Sequence, residues 1–150
     1  MSLPTIVHIT ADFVDALVPN KTRAVAQLLA GATESRNVVY SLNRVTRWGG
    51  LAAMEFERDR TAIAYGAPPK GLFLETFLQP VAQWIVADVR AKGLQVDAVH
   101  SHKLTVDGIV GLAVSQELGV PLVVSAWGDT DQRVMQFRVD LKAKWREILD

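Results

Sequence analysis

Apolar and polar positions in this chain switch repeatedly between two periods. Short β-branched runs with the two-residue period of a strand alternate with longer stretches in which apolar residues recur every three or four positions. Leu3 to Ile9 (LPTIVHI) reads as a buried first strand ending at Thr10-Ala11-Asp12. Asn20 is placed to cap a helix whose stripe is Ala24, Val25, Leu28 and Leu29, with Gly31 closing it. Asn37 to Leu42 reads as a second strand that ends in polar Asn43 and Arg44. MEFERD and TAIAY then alternate around Arg58-Asp59-Arg60 and predict a small hairpin. Leu72 to Lys92 predicts a long helix with Leu74, Leu78, Val81, Ile85 and Val89 facing inward and Gly93 past its end, kinked or divided at Pro80. Val96 to His100, Thr105 to Leu118 and Pro121 to Ala126 form one βαβ pattern, and Gln132 to Leu149 predicts a final helix.

Strand and helix in alternation predict an α/β fold: a doubly wound, mostly parallel, Rossmann-like sheet with helices on both faces and right-handed crossovers. Ligands of such sheets bind beyond the carboxyl ends of the strands, near the point where strand order reverses. The expected ends are Thr10-Ala11-Asp12, Asn43-Arg44, His100-Ser101-His102-Lys103 and Trp127-Gly128-Asp129-Thr130-Asp131. Four polar clusters therefore fall on one edge.

Composition narrows the chemistry. A 150-residue chain that is 49% hydrophobic can bury roughly two-thirds of its unfolded surface and needs no crosslink to fold. With no cysteine there is no disulfide scaffold, thiolate metal site or catalytic thiol, and a reducing, cytoplasmic setting fits. Sixteen basic residues against sixteen acidic ones leave no field to attract a nucleic acid. No export signal or membrane-spanning run is apparent, while Arg133, Arg138, Lys142, Lys144 and Arg146 give the final helix a mildly basic amphipathic face. Such a face is usually solvated; its alternative use is weak association with the inner face of a membrane.

Three constellations remain. His100 and His102 share a side of their strand, with Thr105 and Asp107 at the start of the following helix and Gly108 and Gly111 permitting its close approach to the sheet or to a ligand. The free N–H groups of that helix start offer an anion site, with His102, expected further out than His100, as a hydrogen-bond donor. A metal site is the weaker reading, because a third ligand would have to come from Asp12, Asp129 or Asp131. Gly128, Asp129 and Thr130 could hold substrate hydroxyls, whereas Asp131 reads mainly as a cap of the last helix. The loop Pro19-Asn20-Lys21-Thr22-Arg23 carries neither GxGxxG nor GxxxxGK[ST], which argues against dehydrogenases and P-loop NTPases, and no Gly-x-Ser-x-Gly elbow supports a hydrolase.

The segments HSHKLTVDG and VPLVVSAWGDTD resemble the N-terminal, acceptor-side domain of retaining GT-B group-1 glycosyltransferases, with the specific likeness confined to residues 96–131. The resemblance implies transfer of a sugar from a nucleotide diphosphate sugar to an acceptor hydroxyl, with retention, in polysaccharide or glycolipid synthesis. It places His102 near the transferred sugar and makes it the expected catalytic residue. Asn20, Lys21 and Thr22 fall where the family has a Gly-Gly loop at the donor diphosphate, and those glycines are missing here. Arg44, Lys103, Asp107, Gly128, Asp129 and Thr130 complete the expected substrate-binding set. The resemblance implies no metal and no covalently bound cofactor, a sugar or lipid-linked acceptor as partner, and a C-terminal donor-binding domain. Residues 1–150 would then be one half of a catalyst, inactive alone. The rival expectation is a self-sufficient doubly wound binding or regulatory module.

Overall fold

The computed structural model describes residues 2–126 and 128–150. Six strands form one sheet in the order β3-β4-β2-β1-β5-β6. They are β1 (Thr5–Thr10), β2 (Arg36–Thr46), β3 (Leu51–Glu57), β4 (Arg60–Ala67), β5 (Ala98–Ser101) and β6 (Leu122–Val124). Every neighbouring pair is parallel except the β3–β4 hairpin at one edge. The predicted hairpin is present, with Asp59 at φ +61° in its tight turn.

Alternation assigns each strand residue to a face. Val7, Ile9, Val38, Tyr40, Leu42, Ile63, Tyr65 and Val99 point into the main core. There they meet α2 (Leu74–Ala91), α3 (Val106–Leu118) and α5 (Lys142–Leu149), whose Trp145 is fully buried. The other face is covered by α1 (Ala24–Gly31), where Val25 and Leu29 pack on Phe13 and Val39. Helices therefore lie on both faces, and α1 packs toward β2 and β3. Val123 of β6 is half exposed.

Several boundaries differ from the sequence reading. Helix α1 begins at Ala24 with Arg23 as the flanking residue, so the exposed Asn20 caps nothing, and Thr22 Oγ1 accepts the Ala24 N–H instead (3.3 Å). Pro80 lies inside an unbroken α2, and all five predicted inward positions of that helix are buried. The expected final helix is two: α4 (Gly128–Phe137) and α5, separated by a 3-10 turn at Val139–Leu141. Val134, Leu141, Trp145 and Ile148 keep helical phase across this break, so periodicity carried no sign of it. The break comes from a tertiary contact: Arg138 leaves helical geometry where its guanidinium reaches the Lys70 carbonyl (3.3 Å) and the Asp140 carboxylate (2.7 Å).

Strand order also fixes where a ligand crevice can open. The chain leaves β1 toward β2 and β4, returns along α2, and adds β5 and β6 on the opposite side of β1. The reversal lies between β1 and β5, so the crevice is bounded by the segments after Thr10 and Ser101.

Candidate functional site

At the carboxyl end of β1 the backbone passes through Ala11 and Asp12, and at the end of β5 through His102 and Lys103. The His102 N–H extends the strand ladder by donating to the Ile9 carbonyl (3.1 Å). Lys103 Nζ closes on Asp12 Oδ2 at 2.6 Å, a half-exposed ion pair across the crevice mouth. Helix α3 starts directly behind it. Gly111 lets that helix press on β5, because a Cβ there would lie 1.9 Å from Ser101 Oγ. Ser101 Oγ in turn donates to the Asp107 carbonyl (2.8 Å), pinning the first turn of α3 to the strand.

The expected anion site at the start of α3 is already taken by the protein. Thr105 makes no side-chain cap. The buried carboxylate of Asp131, reaching across from α4, accepts from the N–H groups of Leu104 (3.2 Å) and Thr105 (3.3 Å). Asp131 therefore serves α3 and not the start of its own helix, because its negative charge is best placed against free N–H groups at the positive end of a neighbouring helix. Asp107 also differs from expectation. It is fully buried, its Oδ1 accepts the Ala11 N–H (3.1 Å), and its Oδ2 has no partner among the described residues. Burial pushes its carboxyl up to about 8, against the smaller lowering effects of the Ala11 hydrogen bond and Lys103. Asp107 is thus a strut behind the crevice wall, out of reach of a solvent-borne substrate.

The second face of the sheet holds what the sequence reading missed. His8 of β1 stands in register with His100 of β5, and alternation brings His102 to the same side. The rings of His100 and His102 stack with centroids 4.1 Å apart, and each lies 5.3 Å from the His8 ring. His8 Nδ1 is 3.1 Å from His102 Nε2. On its other side, His8 Nε2 is 2.9 Å from Asn37 Oδ1. Asn37 Nδ2 donates to the Ala32 carbonyl (2.9 Å) and Ser35 Oγ donates to Asn37 Oδ1 (3.0 Å), so the amide is fixed with its oxygen toward His8. His8 therefore carries its proton on Nε2 and offers a lone pair at Nδ1. His102 must then donate from Nε2, which leaves its buried Nδ1 without a partner.

The expected order of exposure is reversed. His102 is 1% exposed, while His100 is half-buried with Nε2 at 2.8 Å from Ser125 Oγ. The reason is topological, since the segment after β5 continues along β1 and lies beneath the Lys103–Asp12 pair. Burial depresses all three imidazoles. His8 is lowered to about 4, with the Asn37 hydrogen bond opposing and His100 assisting. His102 is lowered to about 3, with further lowering by His100 and His8, and His100 is lowered by burial alone. A histidine centred in an apolar strand, alternating with the core residues Val7 and Ile9, was the available sequence signal for His8.

The remaining predicted residues lie around this centre without joining it. Lys21 Nζ is held by Asp15 Oδ2 (3.0 Å), Ser41 Oγ (2.9 Å) and the Leu42 carbonyl (3.1 Å), so it anchors the β1–α1 loop. Burial would raise the Asp15 carboxyl, but hydrogen bonds from Ser41, Asn43, the Val18 N–H and Lys21 together hold it below its ordinary value. Thr22 is exposed, and exposed Arg44 donates to the Pro68 carbonyl. Gly128, Asp129 and Thr130 form the exposed first turn of α4, with Gly128 at φ +59°, and Trp127 lies outside the described residues. The basic face of the C-terminal helices is partly neutralised by the pairs Arg138–Asp140 (2.7 Å), Lys144–Glu75 (3.1 Å) and Lys144–Glu147 (2.7 Å). No described helix is long and apolar enough to cross a membrane. A groove of about 460 Å³ lies between α2 and α3, away from the strand ends, and gathers no cluster of convergent buried polar groups.

No protein-family model matches this chain, and no curated protein matches it.

Proposed function

We propose that the chain is the acceptor-side domain of a retaining GT-B glycosyltransferase, acting with a second, donor-binding domain. The supporting observation is the position of the His-Ser-His-Lys segment: it falls at the strand-order reversal, with Lys103 at the crevice mouth and a close-packed glycine-bearing helix behind it. In this reading a nucleotide diphosphate sugar spans the cleft between the domains and Lys103 exchanges Asp12 for a donor phosphate. Charge on the departing diphosphate is stabilised chiefly from the other domain. His102, buried beneath the mouth, is a positioning residue: it fixes the end of β5 against β1 and so sets the Lys103 backbone. Asn20 and Thr22, exposed on the β1–α1 loop, are left for the donor diphosphate, and the exposed Asp129 and Thr130 for substrate hydroxyls.

The self-sufficient module reading predicts a fully covered sheet, and the half-exposed Val123 on the edge strand β6 weighs against it.

The test is sugar transfer by the natural polypeptide that carries these residues, supplied with UDP-, GDP- and ADP-hexoses. Transfer or slow donor hydrolysis is expected with one of them. Lys103→Ala should raise KM for the donor about tenfold or more with a smaller effect on kcat. His102→Ala should lower kcat by more than about tenfold, and His102→Asn should restore part of the loss. Absence of transfer and hydrolysis with every donor would sink the reading; unchanged kinetics in both variants would sink the assigned roles.

A further inference from the structure

Three imidazoles on one sheet face, drawn from β1 and from the end of β5 more than 90 residues later, are a donor set of which the glycosyl-transfer reading uses only His102, and that as a positioning residue. One ligating nitrogen from each of His8, His100 and His102 lies within 4.8 Å of the others. Two nitrogens bound to one tetrahedral ion at about 2.1 Å would be about 3.4 Å apart. The His8 Nδ1 to His102 Nε2 distance of 3.1 Å is already close to that value, and His100, whose ligating nitrogen lies within 4.8 Å of the others, would draw inward to complete the set.

Two features point to a ligand and not merely to hydrogen-bonded packing. Asn37, itself held by Ser35 and the Ala32 carbonyl, fixes the His8 proton on Nε2 and turns the Nδ1 lone pair toward the other rings. This is the arrangement by which an outer hydrogen bond orients a metal-binding imidazole. Access exists on the His100 side, where His100 itself is only half-buried, Val123 beside it on β6 is half exposed and half-buried Ser125 Oγ lies 2.8 Å from His100 Nε2.

We propose that His8, His100 and His102 bind a late first-row divalent transition-metal ion, Zn²⁺ foremost, with a fourth position open toward Ser125 and solvent. Neutral imidazole donors favour such an ion over Mg²⁺ or Ca²⁺, which prefer oxygen ligands. The ion clamps β1 to β5 beneath the crevice. Its role is structural, and it touches glycosyl transfer only through His102, whose positioning role it shares.

The experiment uses tag-free protein stripped with a chelator and titrated with Zn²⁺ against a chromophoric competitor, then with Co²⁺ for its visible absorption. One equivalent of Zn²⁺ should bind, raise the melting temperature and generate a Co²⁺ spectrum of tetrahedral type; Mg²⁺ should do neither. His100→Asn, at the exposed corner, should weaken Zn²⁺ binding by more than about a hundredfold, and Asn37→Ala by about tenfold to a hundredfold. Circular dichroism of both variants verifies that they fold. Absence of stoichiometric Zn²⁺ binding by the wild type, or equal binding by folded His100→Asn, would overturn the site. Neither readout involves a sugar donor, so failure of the transferase reading leaves the result interpretable.

Discussion

At the scale of single residues, burial decides which polar groups are structural and sets how the metal-free chain responds to pH. His8 and His102 titrate near 6.5 when unfolded and near 4 and 3 when folded, so their contribution is complete above pH 6.5 and is lost as pH falls through the folded values. Asp107 has the opposite sign. Its folded value near 8 lies above the unfolded 3.8, so its contribution is complete below pH 3.8 and is lost as pH rises through 8. These three groups together place maximum stability near pH 6.5. Asp107→Asn should remove the decline between pH 6.5 and 8, a gain on the order of a few kcal/mol at pH 8, and steepen the acid limb below 6.5. Urea unfolding at stepped pH measures this, and a variant with an unaltered profile would show that Asp107 is ionised in the folded protein. His102 and Asp107 were legible as polar residues near a strand end. Their lack of exposure was not, since burial depends on what the β1 end and α4 place over them.

Among elements, the junction of α3 with β5 carries the most constraint. Gly111 stands where a methyl group would overlap Ser101 Oγ, and Ser101 is bonded to the helix backbone at Asp107. Gly111→Ala must push the helix outward or turn the serine, and is expected to destabilise the protein by about 1–3 kcal/mol in urea unfolding. Loss near zero would mean that α3 is free to shift. The glycine's need for close approach was visible in the sequence, because a small residue recurs on the helix face after His-Ser-His. The partner that caps this helix was not visible. Asp131 lies 24 residues after Asp107 and reaches α3 only through the path of α4, whereas the local pattern offered Thr105. Likewise, the division of the C-terminal helix depends on Arg138 meeting Lys70 from a distant loop, and no local period encodes that contact.

For the molecule as a whole, strand order places β2 and β1 at the centre, with β5 beside β1 and with β3 and β6 at the edges. The amides of Val7, Ile9 and Val99 should therefore be among the slowest to exchange with deuterium, while those of β3, most of whose side chains are exposed, exchange through local opening. Equal protection of β3 and β1 would argue for a covered edge in solution. The sequence by itself determined the alternation of strands and helices, the hairpin, the inward face of α2 and the clustering of polar groups at strand ends. All of these follow from local period and turn chemistry, which neighbouring residues encode. Only the tertiary structure decided that β1 lies between β2 and β5, and with that pairing came the crevice, the Lys103–Asp12 bridge and the meeting of His8 with His100 and His102. Such contacts join residues more than 90 positions apart, and their formation depends on strand register and on which faces the helices cover, quantities that no short window of sequence contains.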